Sequence, residues 1–414
     1  MSDYIVVGVI IMHFRFSIAL MLIVIARLYL PTARTVNVAT YGELLSACQS
    51  ARPNDIIVLA PGTYTITGSS RIMVTRRPGP ILVRGATGNS ADVIIEGRGQ
   101  DDETVQMVFD LTNSPRWTFE GLTTRRNYYH GFKFNGSSTD CVLRNVVMRD
   151  HGESGVTGTS EPAGGVYPDR LRVEGCDIGF TTSRGGTRSV VEGIDGVGVN
   201  GWVVQRCRFV NVVHPGSIAY GVFTKGNASE TIIESSRFEN CDIGASFGGG
   251  GTGAPYFRDN NRAYEHRGGV IRNNVFIRSK DAAVYINKGR NCKVYNNTLF
   301  ECGLTIQLRF PPSSGSVRNN LIKPAPASLQ EPSLRLRDGA TLLSGEANLT
   351  TEGAVFARGA GKNEEIDVHL MPNSPAIDAG TSIGADVTTD VEGERRPYGK
   401  SYDVGADEWR PGRK

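Results

Sequence analysis

Several things are missing from this sequence. The 45 Lys and Arg residues nearly cancel the 42 Asp and Glu, leaving a formal charge of +3, so no overall field draws the chain to nucleic acid. Tryptophan is scarce, at three residues, and proline is ordinary at 19. Glycine reaches 50 of 414 residues, but without a Gly-X-Y period, which excludes a collagen-like rod. There is no HExxH, P-loop, EF-hand loop or Cys/His metal spacing. Long apolar runs are absent beyond residue 30. Before it, Tyr4 to Leu30 is almost wholly apolar, and His13 and Arg15 precede the run Phe16 to Ile25. This reads as a signal segment within residues 1–33, so a secreted or periplasmic protein is expected, membrane-anchored if the segment is uncleaved.

What is present is a repeat. The anchors Phe119, Leu143, Val173, Val204, Ile233, Ile271, Val294 and Val317 follow one another at intervals of 24, 30, 31, 29, 38, 23 and 23 residues. Each opens the pattern apolar, polar, small or turn-forming, as in Phe119-Glu120-Gly121 and Val294-Tyr295-Asn296. From Leu143 to Val294 a large apolar residue recurs five positions on: Met148, Ile178, Phe209, Phe238, Phe276, Leu299. A unit of two short strands and a turn cannot bury its own apolar face and must stack on its neighbours. The expected fold is therefore all-β, a right-handed parallel β-helix over residues 34–323, with short terminal rungs and a cap over 324–414.

Asn274, Asn297 and Asn320 share one offset and predict an amide ladder. Cys176 and Cys207 share it too, and Cys141 and Cys292 each stand two residues before an anchor. That regularity reads the seven cysteines as small buried hydrophobes rather than disulfide partners. Thr40-Tyr41-Gly42-Glu43 is a capping box, predicting a short helix over 41–51 that lids the first rung.

In the strand that ends before each anchor, side chains alternate. Val222 and Thr224, Val284 and Ile286, and Ile306 and Leu308 should point inward. Phe223 and Lys225, Tyr285 and Asn287, and Gln307 and Arg309 should point out. Rungs about 4.8 Å apart would then align Asp195, Lys225, Ser246 with Gly248, Asn287 and Arg309 in one column, flanked by Phe223 and Tyr285. Gly244, Ser246 and Gly248 would leave room for a ligand at the backbone. The 38-residue interval adds a loop just above Lys225 that carries Arg258, Arg262, Tyr264, Glu265 and His266. Cations and amides beside aromatics suit an anionic sugar chain. Tyr128 and Tyr129 would extend the platform, while His130, His151 and His214 read as loop residues.

The run Gly221-Val222-Phe223-Thr224-Lys225-Gly226-Asn227, with Thr231-Ile232-Ile233-Glu234 and Phe238-Glu239-Asn240, resembles the catalytic rung of chondroitinase-B-like and alginate polysaccharide lyases. The tail Ser374-Pro375-Ala376-Ile377-Asp378-Ala379-Gly380 is similar to the ends of many exported bacterial β-helix proteins. The resemblance implies β-elimination on a uronate-containing polysaccharide, with Lys225 as base if its pKa is lowered. Arg258, Arg262 or Arg309 would clamp the carboxylate, and Tyr264 or His266 would act as acid. Where that family follows its lysine with Arg-His-Gly, this sequence has Ser246-Phe247-Gly248. Its calcium-binding acidic cluster is represented only by Glu192 and Asp195, so calcium stays open as a cofactor. Glycoside hydrolysis, C5 epimerisation and non-catalytic glycan binding are the alternatives. A monomer is expected, with no nucleic-acid partner.

Overall fold

The computed structural model describes residues 33–161, 165–249, 251–325, 333–351, 356–358 and 366–412. The N-terminal apolar segment lies outside them, and among the described residues no helix is long and apolar enough to cross a membrane. The backbone winds through three long parallel sheets of twelve, ten and eleven strands. One winding runs from Glu192–Val197 in the ten-stranded sheet to Val203–Gln205 in the twelve-stranded one. It continues through Arg208–Val210 in the eleven-stranded sheet to Tyr220–Lys225, one rung on. This is a parallel β-helix.

The third residue of the repeat makes the corner between the twelve- and eleven-stranded sheets. Asn145, Arg206, Ser235, Asn273, Asn296 and Asn319 all adopt φ between 46° and 56°, and Gly121 and Gly175 sit there at 61° and 60°. A left-handed corner selects Asn and Gly, which is why the pattern was readable. Inside, Phe209, Phe238 and Phe276 stack with ring centroids 4.6 and 4.7 Å apart. Gly193, Gly221 and Gly244 back onto these rings: a Cβ on them would lie 2.8, 2.8 and 2.5 Å from Phe209, Phe238 and Phe276 respectively. Gly244 is thus small because of the core, which corrects the expectation that it makes room for a ligand.

The amide ladder runs one rung further than expected. Asn274 Nδ2 donates to Asn297 (3.1 Å), Asn297 Nδ2 to Asn320 (2.9 Å) and Asn320 Nδ2 to Asn348 (2.8 Å). Asn297 also donates to the Ile271 carbonyl and accepts from the Asn274 backbone. Asn297→Ala strands several of these buried groups, each costing about 1–3 kcal/mol. A lowered thermal midpoint is expected, and an unchanged one would show that the ladder contributes nothing. All seven cysteines are buried and free.

The capping box forms on the helix Tyr41–Gln49, which buries Tyr41, Leu44, Ala47 and Cys48 against the first rung. At the other end, Leu334–Arg337, Thr341–Ser344 and Leu349–Thr350 add a winding. The chain then turns back along the flank. Ile366, Val368, Leu370, Ala376, Val404 and Ala406 pack on Val275, Ile277, Phe300 and Leu321. Arg396 is fully enclosed there, its guanidinium on Glu408 (3.0 Å) and the carbonyls of Asp403, Gly405 and Ala406.

Candidate active site

The inward set of the ten-stranded sheet is as expected: Val222, Thr224, Val284, Ile286, Ile306 and Leu308 have no exposed surface. Its outer face carries three rows fixed by strand register. His130, Ser154, Glu192 and Tyr220 form one. Asp110, Lys133, Thr157, Asp195, Phe223, Ser246, Tyr285 and Gln307 form the second. The third includes Asn135, Thr159, Val197 and Lys225, then Asn287 and Arg309 on later strands. The expected single column is therefore two rows. Asp195 is level with Phe223, and Lys225 is level with Val197.

Lys225 reaches across to Asp195. Its Nζ stands 3.3 Å from Asp195 Oδ1 and 4.1 Å from the centre of the Phe223 ring. Tyr220 stacks on Phe223 from the other side at 4.1 Å. The Lys225 side chain is only 16% exposed. Burial pulls its pKa down, but Asp195 and Glu192 outweigh it, and the net shift is upward. Lys225 therefore stays an ammonium at neutral pH. This corrects its expected role as a base, because its neighbours are carboxylates rather than an arginine.

The carboxyl that titrates near neutrality, Glu153, is one the sequence reading passed over. Glu153, just before the strand Ser154–Thr159, has its pKa raised to about 7 by burial and by Asp195, against the pull of Lys133, Lys225 and Arg188. Glu192 is 3% exposed, and its Oε2 makes no hydrogen bond. Burial raises its pKa well above the usual carboxylate range, with Asp195 and Glu153 adding to it and Lys225 opposing. Burial likewise pushes Asp195 up, with Lys225 opposing. Strict alternation misleads here: Glu192 and Tyr220 stand three residues before Asp195 and Phe223 and so share the parity of the inward Ile194 and Val222, while the intervening Gly193 and Gly221 back onto the core rings.

His130 belongs to this face rather than to a loop. Its Nδ1 lies 2.8 Å from Ser154 Oγ and its Nε2 lies 3.9 Å from Glu153 Oε1. Ser, His and Glu in sequence suggest a nucleophile relay. The serine is 1% exposed, however, and burial drives His130 down to about 3, so the imidazole is too weakly basic to activate it. His151 is also buried, bridging Asn127 and Thr124. His214 holds the Arg188 carbonyl at 2.8 Å.

The structure does bring the long loop beside Lys225, through contacts that fix the loop. Glu265 is buried and accepts from the Gly226 N–H and the Thr252 hydroxyl, both at 2.8 Å. It is thus an anchor, not a sugar ligand. Arg258 is held by Asp169 and the Gly198 carbonyl and lies 4.4 Å over the Tyr167 ring, so it does not clamp a carboxylate. His266 lies inside the solenoid, 4.2 Å from the Phe247 ring centre and 3.0 Å from Thr231 Oγ1. Burial holds it near 3, so it cannot deliver a proton to the outer face. Ser246 is fully buried with Oγ 2.6 Å from the Gly248 carbonyl, and a Cβ on Gly248 would lie 2.0 Å from the Asn287 carbonyl. Neither meets a ligand. Arg262 is exposed, and Tyr264 accepts from Asn261 at 3.3 Å. Among the described residues neither is hydrogen-bonded or ion-paired to Lys225, Asp195 or Glu153. Tyr285 remains half-buried on the outer face, accepting from Asn287 at 3.0 Å. Arg309 pairs with Asp338 at 2.5 Å. At the N-terminal end, Arg188 lies over Tyr128 at 4.0 Å, and Tyr129 packs edge-on to Tyr128.

Calcium needs roughly six to eight oxygens. Here the Lys225 ammonium stands where a divalent cation on Asp195 would sit. Among the described residues no three carboxylates of this face converge on one point. The donor set does not fit calcium.

Among solved structures the chain is similar to pectate lyase Pel9A, at a TM-score of 0.61 and 17% identity over 92% of this chain and 97% of that one. It is also similar to a rhamnogalacturonan lyase, at 0.50 and 13% over 78% and 91%. A third is a mannuronic acid specific family 6 polysaccharide lyase from human gut microbiota, at 0.50 and 15% over 81% and 79%. At these identities the likeness is one of fold. No curated protein sequence matches the chain. The model of the right handed beta helix region matches residues 108–357, and with the winding described above this places the chain in the right-handed β-helix family.

Proposed function

We propose that this protein is an exported, monomeric lyase that cleaves an anionic, uronate-containing polysaccharide by β-elimination on the outer face of the ten-stranded sheet. The observation that carries the reading is an ammonium, Lys225, whose pKa is raised by the carboxylates beside it, on the same face as a carboxyl that ionises near neutrality, Glu153. Elimination needs both. Lys225 would neutralise the uronate carboxylate, onto which negative charge spreads as the adjacent carbon loses its proton. Glu153, ionised, would take that proton. The electron pair forms the C=C bond, the C–O bond to the departing sugar breaks, and the freed oxygen takes a proton from Glu192 or water. Half-buried Tyr285 would flank the chain. The reading agrees in chemistry with the lyases named above that share the fold.

The sign of the pH dependence follows. Glu153 must be ionised, so kcat/KM should rise through about pH 7 and fall only on the alkaline side, where Lys225 loses its proton. A profile flat across neutrality would remove Glu153 as base. Grouping Glu153, Glu192 and Asp195 also favours a second reading, hydrolysis by a protonated and an ionised carboxyl. The products decide: elimination leaves a conjugated unsaturated uronate with ultraviolet absorbance, and hydrolysis leaves reducing ends without it.

A further inference from the structure

Among the described residues, a convergent set of metal-donor atoms lies on the C-terminal flank, away from the Lys225 face. Three separate stretches meet there: the strand Asp367–Leu370, the turn holding Glu392 and the closing run that contains Asp407. His369, Glu392 and Asp407 each bring one ligand atom to the same point, all within 4.8 Å of one another. His369 Nε2 is 3.2 Å from Glu392 Oε1. The other ring nitrogen, Nδ1, is held at 2.6 Å by Asp367, a fourth residue outside the three. A carboxylate on the far nitrogen is the usual way a metal-binding imidazole is aimed. Asp407 is 2% exposed and accepts from the Leu370 N–H at 2.8 Å, so one donor is rigid. The His369 and Glu392 side chains are 40% and 37% exposed, which leaves a route in from solvent. A cleft of about 800 Å³ opens alongside, bounded by both residues, by Arg206 at a solenoid corner and by Arg208 and Arg237 on strands of the eleven-stranded sheet.

We propose that His369, Glu392 and Asp407 bind a zinc ion, with the fourth position open to water from this cleft. One imidazole and two carboxylates suit zinc, which takes nitrogen and oxygen at about 2.0–2.2 Å in a four-coordinate shell, whereas calcium and magnesium take oxygen. The ion would tie three stretches of chain together on the flank of the rungs. It owes nothing to the catalytic reading, because it shares no residue with the Lys225 face.

The test uses the full chain, stripped of metal, titrated with Zn²⁺ against a chromogenic competing chelator, with the thermal midpoint followed in parallel. One equivalent should bind and raise the midpoint by several degrees. His369→Ala and Glu392→Gln should each weaken binding at least tenfold and remove the midpoint rise. Both residues are partly exposed, so these variants should fold, and Asp407→Asn is a supplementary third. Calcium at the same concentration should not displace zinc. Failure of the native chain to bind one equivalent overturns the proposal. So does undiminished binding in His369→Ala, which would mean an adventitious ion only, and equal competition by calcium overturns the assignment to zinc.

Discussion

Lys225→Met should lower kcat on an anionic polysaccharide by roughly 10²–10³-fold, the scale seen when one preorganised group that stabilises developing negative charge is removed. Methionine keeps an apolar stem over Phe223 while deleting the ammonium 3.3 Å from Asp195. The loss should fall on kcat more than on KM, because the substrate carboxylate gains its extra charge only in the transition state. Stability should suffer as well. Lys225 is an enclosed ion-pair partner, and breaking a buried pair costs up to about 3–5 kcal/mol, lessened here because Asp195 can take up a proton. The double variant Lys225→Met/Asp195→Asn separates the effects: the midpoint should recover and turnover should not. If the single variant keeps most of its turnover, Lys225 is a structural cation and the elimination mechanism fails with it.

Glu153→Gln should cost about 10²–10⁴-fold, the usual span for a lost general base, and the residual activity should no longer climb through neutral pH. The amide preserves shape and cannot accept the proton. Glu153 is only half-buried, and it is held through its backbone N–H on the Tyr129 carbonyl (3.0 Å), so the midpoint should change little. Retained turnover with the same pH profile would move the base elsewhere on the face, with Asp195→Asn the next variant to measure.

The fold was legible because the winding writes itself into the sequence three times. The left-handed corner fills the third place mostly with Asn or Gly, the phenyl stack sets the sixth, and the ladder repeats its amide. The site was half legible. Strand alternation paired Phe223 with Lys225 and kept Val222 and Thr224 inside, but it could not show that Lys225 leans back to Asp195 or that carboxyls surround it. Glu153 precedes its strand and left no periodic trace. His266 was misplaced for a specific reason. The loop does not end in solvent; it returns as a short strand, His266–Arg267, paired with Ala228–Ser229 and Gly289–Arg290. The alternation of that extra strand sends His266 inward and Arg267 out. The loop's charges looked like substrate ligands for a similar reason, since residues that pin an excursion to a scaffold have the same composition as residues that grip a sugar.

The glycines that lie flat against stacked phenyl rings carry an evolutionary consequence. A single residue inserted into one of those strands would reverse its faces, putting a phenylalanine into water and a charge into the hydrocarbon interior. A whole repeat added or lost would instead bring its own glycine and its own ring, and the neighbours would close over the change. The gene can therefore alter its length in steps of one coil, drifting in copy number while each coil's interior stays frozen, with novelty confined to the bends between coils.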